Sequence, residues 1–279
     1  MNIAFIRAVG PVKWAVRYAR LQIRKRVFGK DSRIKLPTGG EMVLPRYSQS
    51  STEVYVTNAD TDWGSEALFV GFANPHRDFL DIGAHVGYYS CYLSPRVRRV
   101  YAFEPDPRNI PSLRFNALMA GNIEVIEAAV SSHDGTAALR VGKGPEVSSL
   151  QDAGAGETSI GVNVMTVDTF VAARPGVDVA LIKTDVEGHD LEVLRGMQAV
   201  VDRHQSLILS ECSYTPELRD LCDRWHYRIF AFMRGRLTAN ACLREMLGPA
   251  SQQSLYKMLF LVPPHLAPSF SKLASNASS

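Results

Sequence analysis

The sequence predicts an α/β fold: a seven-stranded, mostly parallel sheet with helices on both faces, preceded by an N-terminal helix and hairpin. Three observations predict it. From residue 78 onward, apolar β-rich runs alternate with helical segments, the pattern of a sheet built from βα units. The run Asp81-Ile-Gly83-Ala-His85-Val-Gly87 reads as a strand end, a tight turn and a helix start. The next strand closes on a carboxylate, Glu104. A chain of 279 residues is long enough for one large domain of this kind with additions.

Residues 11–28 predict a helix. Lys13, Arg17, Arg20 and Arg24 recur at helical spacing on one stripe, Val12, Val16, Ala19, Ile23 and Val27 line an adjacent face, and Trp14, Tyr18 and Leu21 flank the other side. Residues 33–45 predict a hairpin around Pro37-Thr38-Gly39-Gly40. Residues 46–77 carry less pattern, with a short helix expected around Glu66–Phe69. Strands are expected near 78–83, 99–104, 123–128, 179–184, 206–211, 226–232 and 256–262, the last as an antiparallel strand inserted late. Between the third and fourth, residues 137–141 and 162–167 predict a hairpin joined by a mobile Gly/Ser/Ala-rich stretch. The organisation expected is therefore a lead-in segment over 1–77, a main domain over 78–262 and a disordered tail over 263–279.

Apolar residues make up 46% and charged residues 21%, which excludes a fibrous or wholly disordered protein. The formal net charge of +3 is unevenly spread. Residues 1–30 hold eight basic side chains and no acidic one, leaving 23 basic against 28 acidic residues in the rest. A net-acidic main domain without a recognisable DNA- or RNA-binding motif excludes nucleic acid as the expected partner. The basic amphipathic arm suits peripheral contact with an anionic membrane, or a helix packed on the domain with a solvated basic stripe. Cys91, Cys212, Cys222 and Cys242 form no C-x-x-C pair and no zinc spacing with the histidines; they read as reduced thiols of a cytoplasmic protein. No apolar run spans a bilayer, and Arg7 and Pro11 spoil a signal peptide.

The Gly turn and Glu104 suit a nucleotide whose ribose hydroxyls donate to the carboxylate, which fits NAD and S-adenosylmethionine (SAM) equally. The turn itself discriminates. It lacks the glycine pattern that lets a backbone approach a pyrophosphate, and Asp81 stands ahead of it, where a carboxylate suits the ammonium and sulfonium of SAM. Further on, Lys183, Asp185 and Glu187 alternate at the end of the fourth strand and are expected on one face.

At this point the sequence resembles the FkbM family of SAM-dependent methyltransferases. The resemblance rests on Asp81-Ile-Gly-Ala-His-Val-Gly-Tyr-Tyr-Ser, Tyr101-Ala-Phe-Glu-Pro-Asp-Pro, Ala128-Ala-Val with His133-Asp-Gly-Thr, and Ile182-Lys-Thr-Asp-Val-Glu-Gly-His189. It implies a Rossmann-like, class I SAM methyltransferase fold and O-methylation of sugars, glycolipids or secondary products. Carried onto this chain, Asp81, Gly83, Ala84, His85 and Gly87 sit under the methionine and ribose. Glu104 and Asp106 lie at the ribose hydroxyls, Asn116 near the same pocket, and Ala128 and Ala129, ending strand three, beside the adenine. His85 departs from the commoner Asn. Asp185 faces the methionine amine or the acceptor, Glu187 binds or deprotonates the acceptor hydroxyl, and Lys183 balances their charge. Glu211, ending strand five, and His189 are further candidates, and no metal site is expected. The competing readings are an NAD-dependent oxidoreductase and a non-catalytic membrane-associated module of the same fold.

Overall fold

The computed structural model describes residues 6, 9–48, 50–142, 148–149, 159–235, 240–251 and 254–276. Helix α1 spans Pro11–Arg26, with Pro11 fixing the first turn. Strands β1 (Ser32–Lys35) and β2 (Glu41–Leu44) form the expected hairpin. Helices α2 (Ser50–Thr57) and α3 (Ser65–Val70) fill the stretch with the weaker pattern. Then follow β3 (Asp78–Ile82), α4 (Tyr88–Leu93), β4 (Val100–Phe103), α5 (Ile110–Ala120) and β5 (Ile123–Ile126). The insertion comprises β6 (Ala129–Val130), β7 (Gly135–Val141), β8 (Ser148–Ser149) and β9 (Ser159–Met165). The second half runs α6 (Val167–Ala172), β10 (Val179–Thr184), α7 (Asp190–Arg195), α8 (Gln198–His204), β11 (Leu207–Ser210), α9 (Pro216–Arg224), β12 (Arg228–Gly235), β13 (Cys242–Glu245), β14 (Ser254–Leu255), β15 (Leu259–Val262) and α10 (Ala267–Asn276).

All seven expected strands lie in one large sheet, in the order β13-β12-β15-β11-β10-β3-β4-β5, with β14 added on β12. β5, β4, β3, β10 and β11 are parallel neighbours, and β15 is antiparallel to both β11 and β12. The late antiparallel insertion is therefore present. The sheet reverses direction of winding between β3 and β10, and the parallel strands open their carboxyl ends at that switch point.

Two apolar layers cover the sheet. Leu80, Ile82, Phe103, Ile182 and Ile208 pack with Phe170, Val193, Val201 and Leu221 on one face. Phe79, Val100, Leu181, Leu207 and Leu209 pack with Met42, Leu44, Val54, Phe69 and Tyr92 on the other. The alternation of Phe79 with Leu80, and of Leu207 with Ile208, is the period of a strand buried on both sides. Residues of the lead-in segment thus share the core layer of the main sheet rather than forming a unit of their own.

Two expectations need correction. The tail is not disordered where it is described: α10 runs from Ala267 to Asn276 and buries Phe270 completely, its ring 5.0 Å from that of Phe72 and 5.4 Å from that of Phe260. Leu266, Phe270 and Ala274 recur every four residues, an amphipathic signal that the Ser/Asn-rich composition hides. Strand three ends earlier than expected, at Ile126, so Ala128 and Ala129 do not close it. Ala129 instead begins β6, which pairs with β9 in a separate four-stranded sheet. Most of the linking stretch expected to be mobile, 143–147 and 150–158, lies outside the described residues.

Candidate active site

The site forms where β3, β10 and β11 end side by side. Register pairs Asp81 with Lys183 across β3 and β10, so both side chains stand on the same face. Lys183 Nζ donates to Gly83 O at 3.1 Å and lies 3.1 Å from Asp185 Oδ2 and 3.7 Å from Asp81 Oδ1. Asp81 Oδ2 also accepts from Ser90 Oγ at 2.6 Å. The ammonium is buried, which by itself would lower its pKa, yet Asp185 and Asp81 carry it above the ordinary lysine value.

The two carboxylates respond in opposite directions to the same cation. Burial wins at Asp81, which is fully buried and farther from Nζ, and raises its pKa. Burial also opposes ionisation at Asp185, but there Lys183 and a hydrogen bond from Glu211 prevail and hold it down at about 2. Asp185 lies nearer the ammonium, at 3.1 Å against 3.7 Å, and has Glu211 as a second hydrogen-bond partner, which accounts for the difference. Glu211 is pushed up to about 10, first by burial and then by its hydrogen bond to Asp185 and that group's charge. The pair therefore holds one proton and one negative charge at neutral pH, with Asp185 ionised and Glu211 protonated.

The Gly turn is built differently from the expectation. The N–H groups of Gly83 and Ala84 both donate to Phe103 O, at 3.0 and 2.9 Å, and that of His85 donates to Glu104 Oε2 at 2.7 Å. These amides are used within the fold and are not displayed to a phosphate. Gly83 has φ 76°, and a Cβ there would lie 1.9 Å from Asp185 O. It lets the exit of β10 cross the turn. A Cβ on Gly87 would meet Leu113 of α5 at 2.9 Å, so this glycine admits a helix rather than the sheet. His85 sits at φ 52°, a left-handed conformation that Asn, Asp and His tolerate best, which explains why His can replace Asn here.

Glu104 lies behind the turn. Its carboxylate accepts from His85 N–H, from Asp106 N–H at 2.9 Å and from Asn109 Nδ2 at 3.3 Å. Burial pushes it up to about 7 against the pull of those donors. Asp106 is buried and engaged by Arg108 Nε and Nη2. Asn116 ties α5 to the hairpin and the turn: its Oδ1 accepts from Val43 N–H at 2.7 Å, and its Nδ2 donates to Val86 O at 2.8 Å. That amide braces the pocket from outside.

A cavity of about 300 Å³ opens over the turn, lined among others by Gly83, Ala84, His85, Lys183, Asp185, Glu187 and Glu211. Glu187 reaches it by another route than strand alternation. β10 stops at Thr184, and Glu187 follows in an exposed turn at φ 52°. His189 turns away; its Nε2 lies 2.9 Å from Ser131 Oγ.

The opposite wall is drawn largely from residues 46–77 and the segment after Glu211, the parts expected from the sequence to shape the pocket, although none of its residues is singled out there. It comes from α2 (Ser50, Glu53, Val54), from Thr61 and Asp62, from Tyr88 and Tyr89, and from Lys257. Buried Glu66 organises it: Oε1 accepts from the N–H groups of Thr61 and Asp62, at 2.6 and 2.9 Å, and from Tyr88 OH at 3.0 Å. Asp62 Oδ2 accepts from Tyr89 OH at 2.7 Å. Lys257 Nζ donates to Thr61 O at 2.8 Å. Only Tyr88-Tyr89, within the Gly-turn motif, gave any sequence signal. Among the described residues, no group of three or more His, Cys, Asp or Glu side chains is placed to hold a metal ion.

The FkbM methyltransferase domain matches residues 81–240, more than half of the chain. The chain belongs to the FkbM methyltransferase family. It is 30% identical over 118 residues to the hexuronic acid methyltransferase AglP of Haloferax volcanii, a match covering 42% of this chain and 48% of that protein. The crystal structure of methyltransferase FkbM from Methylobacillus flagellatus is 18% identical, with a TM-score of 0.39 over 71% of this chain and 54% of that one. That of a methyltransferase from Streptococcus mutans with SAH is 10% identical, with a TM-score of 0.38 over 71% of this chain and 96% of that one. The chain thus spans about half the length of AglP and of the M. flagellatus protein.

In this FkbM-family chain the matched stretch begins at Asp81 and takes in the turn, Glu104 and the Lys183–Asp185–Glu211 cluster. It leaves out the hairpin, α2, Thr61, Asp62 and Lys257. The sheet edge of the cavity, with Tyr88 and Tyr89, lies inside the matched stretch, and the rest of the facing wall lies outside it. Membership in a methyltransferase family and the consumed amides of the turn favour the methyltransferase reading over the NAD-dependent oxidoreductase.

Proposed function

We propose that this chain is a SAM-dependent O-methyltransferase acting on a hydroxyl of a sugar, glycolipid or related metabolite, with sugars favoured. The observation that carries the reading is the acidic cavity over the Gly turn, where Glu53, Asp62, Asp185 and Glu187 outnumber Lys183 and Lys257, Glu211 being protonated. Ammonium and sulfonium groups suit such a lining, and a pyrophosphate does not. The residues present fit SAM on this ground and on a second. An ionised carboxylate can accept about four hydrogen bonds, and Glu104 takes three within the fold, leaving room for a ribose hydroxyl. A relative that methylates hexuronic acid supports a sugar acceptor. Carboxylates on both walls are natural acceptors for the hydroxyl hydrogens of a polyol.

When bound, SAM would supply a methyl carbon on a sulfonium, activated enough that much of the catalysis is positioning for in-line attack. Lys183 keeps Asp185 ionised, and Asp185 offers its charge to the donor's ammonium. Glu187 at the rim, whose pKa is raised first by burial and then by Asp185, is placed to take the proton that an acceptor hydroxyl would lose as the methyl passed to its oxygen and the sulfonium left as a neutral thioether. Asp185 itself, held at about 2, is too weak a base for this step.

Calorimetry with SAM, S-adenosylhomocysteine and NAD tests the donor. Tight NAD binding without SAM binding would sink the reading. Glu104→Gln keeps an acceptor oxygen but removes the charge, and is expected to weaken SAM binding roughly 10- to 100-fold. With Glu104 at about 7, wild-type affinity should rise between pH 6 and 8 as the carboxylate ionises, and the variant should lose that rise. Transfer of labelled methyl groups to hexuronic acid oligosaccharides, compared with neutral sugars, tests the acceptor.

A further inference from the structure

Helix α1 turns an apolar face to solvent. It packs on the protein through Leu21, which is completely buried, beside the stacked rings of Trp14 and Tyr18 with centroids 4.8 Å apart. At about 100° per residue, the side of the helix opposite Leu21 is occupied by Val12, Val16, Ala19, Ile23 and Val27. These residues do point outward: Val12 is 75% exposed, Val16 62%, Ile23 52% and Val27 71%, with Phe28 just beyond at 64%. Single exposed apolar side chains are ordinary, whereas a continuous ridge along a whole helix marks an interaction surface.

Positive charge borders the ridge. Lys13, Arg20 and Arg24 are exposed along one side and Arg26 along the other, with Lys30 beyond the helix end, and no acidic residue occurs before Asp31. The inner face anchors the helix: Arg17 Nη1 donates to Val56 O at 3.2 Å, and Lys25 Nζ donates to Ser48 O and to Thr52 Oγ1 at 3.1 and 3.0 Å. The basic stripe is thus divided, Arg17 fastening α1 to α2 and the others facing outward. The far side of α2 supplies Ser50, Glu53 and Val54 to the cavity wall.

We propose that α1 is a docking ridge that seats the protein on an anionic membrane surface, with the cavity wall α2 held next to the headgroups. An apolar ridge with cationic borders matches a bilayer interface, where the ridge enters the acyl boundary and the borders meet anionic headgroups. A second copy of the same helix is a poorer occupant, because it would bring like charges together. The inference is independent of the methyl acceptor, since the binding is read without turnover.

The test is co-sedimentation of the full chain with vesicles of phosphatidylcholine, alone or mixed with phosphatidylglycerol. The wild type is expected to pellet with the mixed vesicles and stay in solution with the neutral ones. Val16→Glu/Ile23→Glu should abolish pelleting, and Lys13→Gln/Arg20→Gln/Arg26→Gln should weaken it roughly a hundredfold. Because all five side chains are exposed, both variants should keep the wild-type melting curve by circular dichroism. A wild type that stays in the supernatant at every composition overturns the proposal, and so does a Val16→Glu/Ile23→Glu variant that still pellets. Sedimentation velocity covers the alternative: a dimer that this double variant converts to monomer, with no vesicle binding, would make the ridge a self-association surface and overturn it too.

Discussion

Replacing Lys183 with Met probes what holds the site together. The substitution keeps the buried stem and removes the cation shared by Asp81 and Asp185. At 3.7 Å and an effective dielectric constant of about 20, the attraction to Asp81 is about 4 kcal/mol. The contact to Asp185 is closer, at 3.1 Å, and hydrogen-bonded, so it adds an attraction of the same order, discounted for the 35% exposure of that side chain. Against this stands the desolvation of the ammonium, several kcal/mol. Breaking a buried pair by removing one partner costs roughly 3–5 kcal/mol, since the surviving charge stays buried. Lys183→Met should therefore unfold with a melting temperature lower by on the order of 10 °C. The pH dependence is the sharper readout. In the wild type, depression of Asp185 to about 2 contributes stability present above its unfolded value of 3.8 and lost as pH falls through 2. In the variant, burial acts on Asp81 and Asp185 with no cation to oppose it, so both pKa values rise. The contribution of Asp185 then reverses sign, and that of Asp81, already raised in the wild type, grows: stability is highest in mild acid and falls as pH rises toward neutrality. Urea unfolding followed by tryptophan fluorescence at pH 4.5 and 7.5 measures both effects. A variant within about 1 kcal/mol of wild type, with an unchanged pH slope, would refute the clamp.

Two other perturbations test the wall and the tail. Glu66 is raised from 4.5 to about 7 by burial and then by Asp62, so the stability it contributes is present below pH 4.5 and lost as pH rises through 7. Glu66→Gln can still offer Oε1 to the same donors, and should gain on wild type by roughly 3 kcal/mol between pH 4.5 and 7.5, measured by urea unfolding across that range; parallel pH curves would contradict it. Phe270→Ala should cost roughly 3–5 kcal/mol, because this ring is fully buried against Phe72, Phe230 and Phe260. A loss under about 1 kcal/mol by thermal melting would mean that α10 is not part of the core.

The sequence by itself determined seven strands of the sheet and the sheet-edge half of the cavity. Strand periodicity is local, and Asp81, Gly83, Lys183, Asp185 and Glu211 all lie at or just beyond strand ends, where parallel pairing brings them together. It placed charge at the right edge, but it could not divide the labour. Gly83 is needed for a reason the sequence does not show, because only the tertiary fold puts Asp185 O where its Cβ would be. Asn116 looked like a cofactor contact because nothing local reveals that Val43 and Val86 claim its amide. Glu187 reached the cavity through a left-handed turn and not through alternation, and His189 left it for Ser131. Only the tertiary structure decided the opposite wall, where Asp62, Tyr89 and Lys257 meet from positions up to 195 residues apart along the chain. It also decided which face of α1 is free. The apolar and basic stripes were legible from their spacing, but which one turned outward depended on Leu21 finding a buried seat, and burial is a property of the packed molecule and not of the helix.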